Sequence, residues 1–103
     1  KNAYGNDEKI MLSYVNMPTY DLAIAKKNAS KINVEVKPSK NKNKKLDVFS
    51  KDGKKLASIG SKYYYDYTIT RDKKKQKSYL ARFAKTRVKV GTPSYYAWKI
   101  LWS

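Results

Sequence analysis

Polar and apolar residues alternate without a break from Lys31 to Lys37. Ile32, Val34 and Val36 point one way and Asn33, Glu35 and Lys37 the other, the two-residue period of a strand with one buried face. Upstream, Ile10 to Val15 is a second candidate strand, and the stretch Tyr20 to Ala29, with its Ala, Leu and Ile, suits a short helix. Pro38 stops the alternation. Ser39 to Lys45 then contains only Ser, Asn and Lys, which offer nothing apolar to bury, so it reads as a solvated loop or linker. On this reading the chain divides into an N-terminal segment with strands (1–37), a Lys/Asn-rich loop or linker (38–45) and a basic module (46–103).

The module opens with a predicted hairpin over about 46–61. Leu46 to Ser50 and Lys55 to Ser61 flank Lys51-Asp52-Gly53-Lys54, and Asp-Gly supplies the positive φ that a tight antiparallel turn needs. Tyr63, Tyr64, Tyr65 and Tyr67 bridge sheet to helix. Thr70 or Asp72 can cap the next element, because their side-chain oxygens accept the unpaired amide hydrogens of a helix start. Over about 72–86, Gln76, Tyr79, Leu80, Phe83, Ala84 and Arg87 recur at helical spacing on one side, with Lys74, Lys75, Lys77, Arg82 and Lys85 on other faces. That is an amphipathic helix with a basic exterior. Gly91-Thr92-Pro93 ends the pattern, Ser94 is available as a cap, and a short helix over about 94–102 is apolar nearly all round except for Lys99. The predicted fold class is α+β, a small antiparallel sheet with the basic helix packed on it.

A chain of 103 residues fits one small domain, which buries only about two-thirds of its unfolded surface. There is no Cys to supply disulfides or thiolate metal ligands, and ten Tyr carry much of the apolar surface. No apolar run approaches the roughly 20 residues of a membrane-spanning helix, and Ile10-Met11-Leu12 is too short for a signal-peptide core. The expectation is a protein without a membrane-spanning segment.

Charge changes the picture most. Residues 37–103 carry 19 Lys and Arg against Asp47, Asp52, Asp66 and Asp72, a balance of +15, whereas residues 1–36 balance to +1. Such self-repulsion calls for an anionic partner, nucleic acid or an acidic protein surface. Enzymatic readings have little to stand on: there is no His, no Cys and no convincing carboxylate pair on one element. Asp66 and Asp72 stand six residues apart across a helix start, where carboxylates are far commoner as caps than as metal ligands. Gly53 and Gly60 have no phosphate-loop context. No metal, cofactor or catalytic residue is assigned.

The candidate basic contact surface is Lys40, Lys42, Lys44, Lys45, Arg71, Lys73, Lys74, Lys75, Lys77, Arg82 and Lys85. Only three of the module's cations are Arg, the residue that forks onto guanine, so any DNA contact is expected to be blind to sequence. The Tyr63 to Tyr67 rings suit the covering of a small core better than the stacking of bases. Tyr95, Tyr96, Trp98 and Trp102 are the candidate partner interface, since Tyr and Trp are typical interface anchors.

From Lys54 to Ser103 the order Ile59-Gly60-Ser61, Asp66-Tyr67-Thr68, Asp72, a basic run, Tyr79-Leu80-x-Arg82 and Ile100-Leu101-Trp102 resembles a family of small basic, largely uncharacterised proteins of large nucleocytoplasmic DNA viruses, those of algae and amoebae among them. Members of that family carry His after the Asp-Tyr/Phe-Thr motif and after the Arg matching Arg82. This chain has Thr70 and Phe83 there, so no His-dependent role transfers. The resemblance implies a virion component synthesised in host cytoplasm. It would be a minor capsid or cement protein on the inner side of the capsid, with capsid proteins as partners, or alternatively a sequence-nonspecific DNA-condensing protein.

Overall fold

Asp21 opens the first helix of the computed structural model, which describes residues 19–103. Its carboxylate accepts the Ile24 amide hydrogen at 3.0 Å, which satisfies a donor left free at the helix start. Helix α1, Leu22–Lys31, realises the suggested helix and buries Ala25, Asn28 and Ala29, an i, i+3, i+4 stripe. The candidate strand at Ile10 to Val15 lies outside the described residues. Ile32 ends α1 and Asn33 takes a left-handed φ of 61°, a conformation that Asn tolerates better than most residues. The strand therefore starts at Val34, later than the alternation suggests, because the helix C-terminus uses Ile32.

Strands β1 (Val34–Pro38), β2 (Lys44–Ser50) and β3 (Lys55–Ser61) form one antiparallel sheet in that order. Val36 lies opposite Val48, Val48 opposite Ala57 and Leu46 opposite Ile59, so the apolar positions of all three strands share a face. Against them pack Ala25 and Ala29 of α1 and Tyr96, Ile100 and Leu101 of the C-terminal helix. The fold class is α+β, as expected, but the helices packed on the sheet are α1 and the C-terminal helix, not the basic helix, none of whose residues is buried.

Within the polar stretch 38–45, read as a loop or linker, residues 39–43 are the loop of a hairpin inside this sheet. Pro38 is the last residue of edge strand β1, where its missing N–H costs no ladder bond, and the Ser39 amide donates to the Lys45 carbonyl at 3.0 Å. Lys44 and Lys45 belong to β2. The second hairpin follows the sequence: Gly53 has φ 92°, and the Gly53 amide donates to the Ser50 carbonyl at 2.9 Å.

Gly60 has a different reason to be glycine. Its φ is 79°, and a Cβ there would stand 2.7 Å from Leu101 Cδ1 and 2.9 Å from Lys45 Cδ, so both strand geometry and helix approach depend on its absence.

Helix α2, Tyr67–Thr70, is a single turn capped by Asp66; α3, Lys73–Arg82, is capped by Asp72; α4, Pro93–Leu101, is capped by Thr92. Asp66 and Asp72 thus take the capping roles their chemistry favours. Two boundaries differ from expectation. Helix α3 stops at Arg82 instead of about 86, since Phe83 leaves helical geometry and Arg87 folds back to donate to the Leu80 carbonyl at 3.1 Å. The cap of α4 is Thr92, not Ser94, because Pro93 with its fixed φ and absent N–H fits the first helical position and places Thr92 before it.

Candidate binding surface

Lys45 was expected on the solvent side of a loop and is instead buried, 3% exposed, with its ammonium 2.7 Å from the equally buried Asp66 carboxylate. Burial lowers the Lys45 pKa from the ordinary lysine value, while the Asp66 charge and hydrogen bond act in the opposite direction. Lys45 Nζ also donates to the Thr19 carbonyl at 3.1 Å. Asp66 accepts the Thr68 amide hydrogen at 2.8 Å and the Thr68 hydroxyl, whose oxygen in turn accepts the Asp21 amide hydrogen at 2.8 Å. One carboxylate thus ties β2, α2 and the start of α1 together. Residues far apart in sequence converge here: Gly60 leaves room for the Lys45 stem, Asp66-Tyr67-Thr68 forms the node, and Leu101 closes against Gly60. The only advance signal for this node was the Asp-x-Thr spacing.

A second buried carboxylate, Asp47, lies on the sheet. Although burial alone would raise it, its pKa is held below the ordinary carboxylate value by the Ser39 and Ser58 hydroxyls, each at 2.7 Å, and by the Lys55 ammonium at 3.7 Å. Both carboxylates are occupied in structure. Among the described residues no three His, Cys, Asp or Glu side chains gather as a metal-binding group.

The cationic surface is the opposite case. Lys40, Lys42 and Lys44 project from the β1–β2 hairpin, and Lys73, Lys74, Lys75, Lys77 and Arg82 from α3, all exposed; Lys85 follows in the exposed turns after the helix. The described ion pairs are Lys45–Asp66, Lys51–Glu35 and Lys55–Asp47, and none uses a residue of α3. No residue of α3 is buried. The helix is instead clasped by aromatic contacts: Tyr79 stacks on Trp102 with centroids 4.2 Å apart and planes 3° from parallel, and Gln76 Nε2 donates to the Trp102 carbonyl at 2.9 Å. Lys74, Lys75, Ser78 and Arg82 surround this stack as an open groove about 520 Å³ in volume. Arg71 is exposed but lines a different cleft, with Lys27, Lys31 and Lys99.

The aromatic residues sort differently from expectation. Tyr96, a candidate anchor, is a core residue at 8% exposure, and Trp102 packs on Tyr79. Tyr95 and Trp98 are half-buried, and Trp98 lies between the cations of Arg87 at 4.4 Å and Lys99 at 4.1 Å. The helix turns its apolar periphery to its own chain. Of the tyrosine cluster Tyr67 is buried at 2% exposure, whereas Tyr63 and Tyr64 are 71% and 73% exposed. The Tyr63 hydroxyl lies 3.3 Å from Asn43 Oδ1, which sets this ring beside the Lys40–Lys44 hairpin.

Fold and surface together define a small α+β domain with a closed, hydrogen-bonded interior and an exterior most of whose cations have no carboxylate partner among the described residues. Residues 34–83, from the first strand of the sheet through α3, match the model of a family of unknown function (DUF5754). No curated protein and no solved structure matches the chain. No helix among the described residues is long and apolar enough to cross a membrane.

Proposed function

We propose that this protein is a non-enzymatic structural component of a virus particle, a minor capsid or cement protein that bridges neighbouring proteins through a mixed aromatic and cationic surface. The observation that carries the reading is the corner where exposed Tyr63 and Tyr64 adjoin the Lys-rich β1–β2 hairpin. Tyrosine rings at high exposure beside lysines that pair with no described carboxylate form the surface that an acidic protein face, with pockets for rings and carboxylates for ammonium groups, would cover. The virus context rests on the resemblance over Lys54 to Ser103 described above. With Tyr96 in the core and Trp102 on Tyr79, the anchoring role passes from the C-terminal helix to this corner.

A second reading has its own observation. The Tyr79–Trp102 stack edged by Lys74, Lys75 and Arg82 combines a flat aromatic platform with phosphate-attracting charge, as in surfaces that hold nucleic acid without reading sequence. Cross-linking of intact particles, with partners identified by mass spectrometry, separates the two. Links from Lys40, Lys42 and Lys44 to capsid proteins, with little DNA adduct, are the expected outcome. Dominant DNA adducts on Lys73 to Lys77 would replace the cement role with genome association, and absence of the chain from particles would overturn both.

A further inference from the structure

The cleft between α1 and α4 is lined by four cationic side chains from three parts of the chain: Lys27 and Lys31 of α1, Arg71 between α2 and α3, and Lys99 of α4. Among the described residues no Asp or Glu side chain lines it, Ser103 completes its wall, and none of the four cations forms an ion pair with a described carboxylate. Its volume of about 640 Å³ falls within the range of small-ligand sites. Ile24 and Ile32 supply apolar wall, and buried Asn28 bridges the two helices by donating from Nδ2 to the Ile100 carbonyl at 2.9 Å. Like charges gathered around one concavity repel one another, and an anion entering it relieves that repulsion.

Arg71 gives the cleft a second, independent mark. Its φ of 50° is left-handed, at the end of α2, where its amide donates to the Tyr67 carbonyl at 3.1 Å. Glycine is the usual residue for such a helix end, and a side-chain-bearing residue there is strained by about 1–2 kcal/mol. The strain is accepted for a side chain held in place twice, with the guanidinium 4.2 Å from the Tyr67 ring centroid and Nη1 donating to the Tyr67 carbonyl at 3.3 Å. A guanidinium fixed at the edge of a cleft, with its remaining N–H groups open, is suited to phosphate oxygens.

We infer that this cleft binds a small polyphosphate anion. A duplex is a stiff convex rod that meets protruding ridges such as α3, whereas cations converging from three elements on a concavity match a compact, multiply charged ligand. The inference uses different residues from the aromatic corner and stands apart from the virion reading.

The test is calorimetric titration of the full chain with sodium tripolyphosphate at about 150 mM salt, where exposed charges are screened within about 8 Å. One saturable site is expected. Lys27→Gln with Lys31→Gln should weaken it at least about tenfold, while Lys54→Gln with Lys89→Gln, the same charge change at exposed positions away from the cleft, should alter it by less than about twofold. Arg71→Gly should lose a similar factor while the thermal midpoint holds or rises, since glycine relieves the left-handed backbone. Equal losses from both lysine pairs, many weak equivalent sites, or no saturable binding would each overturn the assignment. So would a short DNA duplex that is sensitive to the cleft pair while tripolyphosphate fails to bind, which would give the cleft to nucleic acid.

Discussion

The sheet-centred body and helix α3 belong to one small domain but are built on opposite terms. In the body, Leu46, Val48, Ile59, Ile100 and Leu101 are almost fully buried, and even the charges of Lys45 and Asp66 are enclosed and matched. In α3 no residue is buried, five cations face water without a carboxylate partner among the described residues, and attachment rests largely on Tyr79 against Trp102 and one hydrogen bond from the Gln76 side-chain amide. The body spends its polar groups on defining a single structure, and α3 keeps its charges available. A surface helix tethered in this way can carry a charge density that a core-embedded helix would have to neutralise.

The largest effect should come from breaking the body at its polar node. Asp66→Ala leaves the Lys45 ammonium buried without its counter-charge and removes the acceptor for Thr68, so a loss of about 3–5 kcal/mol in unfolding free energy is expected. Urea denaturation followed by Tyr and Trp fluorescence measures it. A loss under about 1 kcal/mol would show that water reaches Lys45 and that the node is not a determinant of the fold.

That node also marks where the sequence stops being readable. The hairpin around Gly53, the α+β class and the Asp66 and Asp72 caps follow from local chemistry, and they stand as expected. Lys45 does not. Its neighbours in sequence are Lys, Asn and Ser, and only the pairing of β2 between β1 and β3, with α2 folded over it, brings a carboxylate 21 residues away within 2.7 Å. The same holds for Tyr96, whose place in a run of aromatic residues suggests an interface, although the register of α4 on β3 turns it inward. The cationic face was legible because charge runs on a capped helix point outward whatever the tertiary arrangement. The cleft of Lys27, Lys31, Arg71 and Lys99 was not, since its members span residues 27 to 99 and α1 had no charge anomaly of its own.

An intermediate effect is expected where the two regions meet. Trp102→Ala removes the ring on which Tyr79 stacks while leaving Leu101 and Ile100 in the core, and should cost about 1–2 kcal/mol. Its distribution matters more than its size. Amide hydrogen exchange in Lys73–Arg82 should accelerate at least about tenfold while exchange in β2 changes little, because opening of α3 need not open the sheet. Uniform acceleration across β2 and α3 would mean that the two regions unfold as one unit and that their contrast is only one of composition.

The smallest effect on stability, and the sharpest statement of the difference, belongs to Lys73→Gln, Lys74→Gln and Lys75→Gln combined. None of these residues is buried or ion-paired among the described residues, and the Lys73 ammonium lies 5.3 Å from the centroid of the Tyr67 ring, so contact loss should be small and relief of repulsion slightly favourable. The unfolding free energy should stay within about 0.5 kcal/mol of the parent or rise. Raising the salt concentration should stabilise the parent more than the variant, since screening removes a repulsion that the variant has already lost. A clear destabilisation would instead show that these lysines, through their stems or through carboxylates reached in solution, hold α3 to the body, and the helix would then be a structural element carrying charge rather than a charged surface that the structure presents.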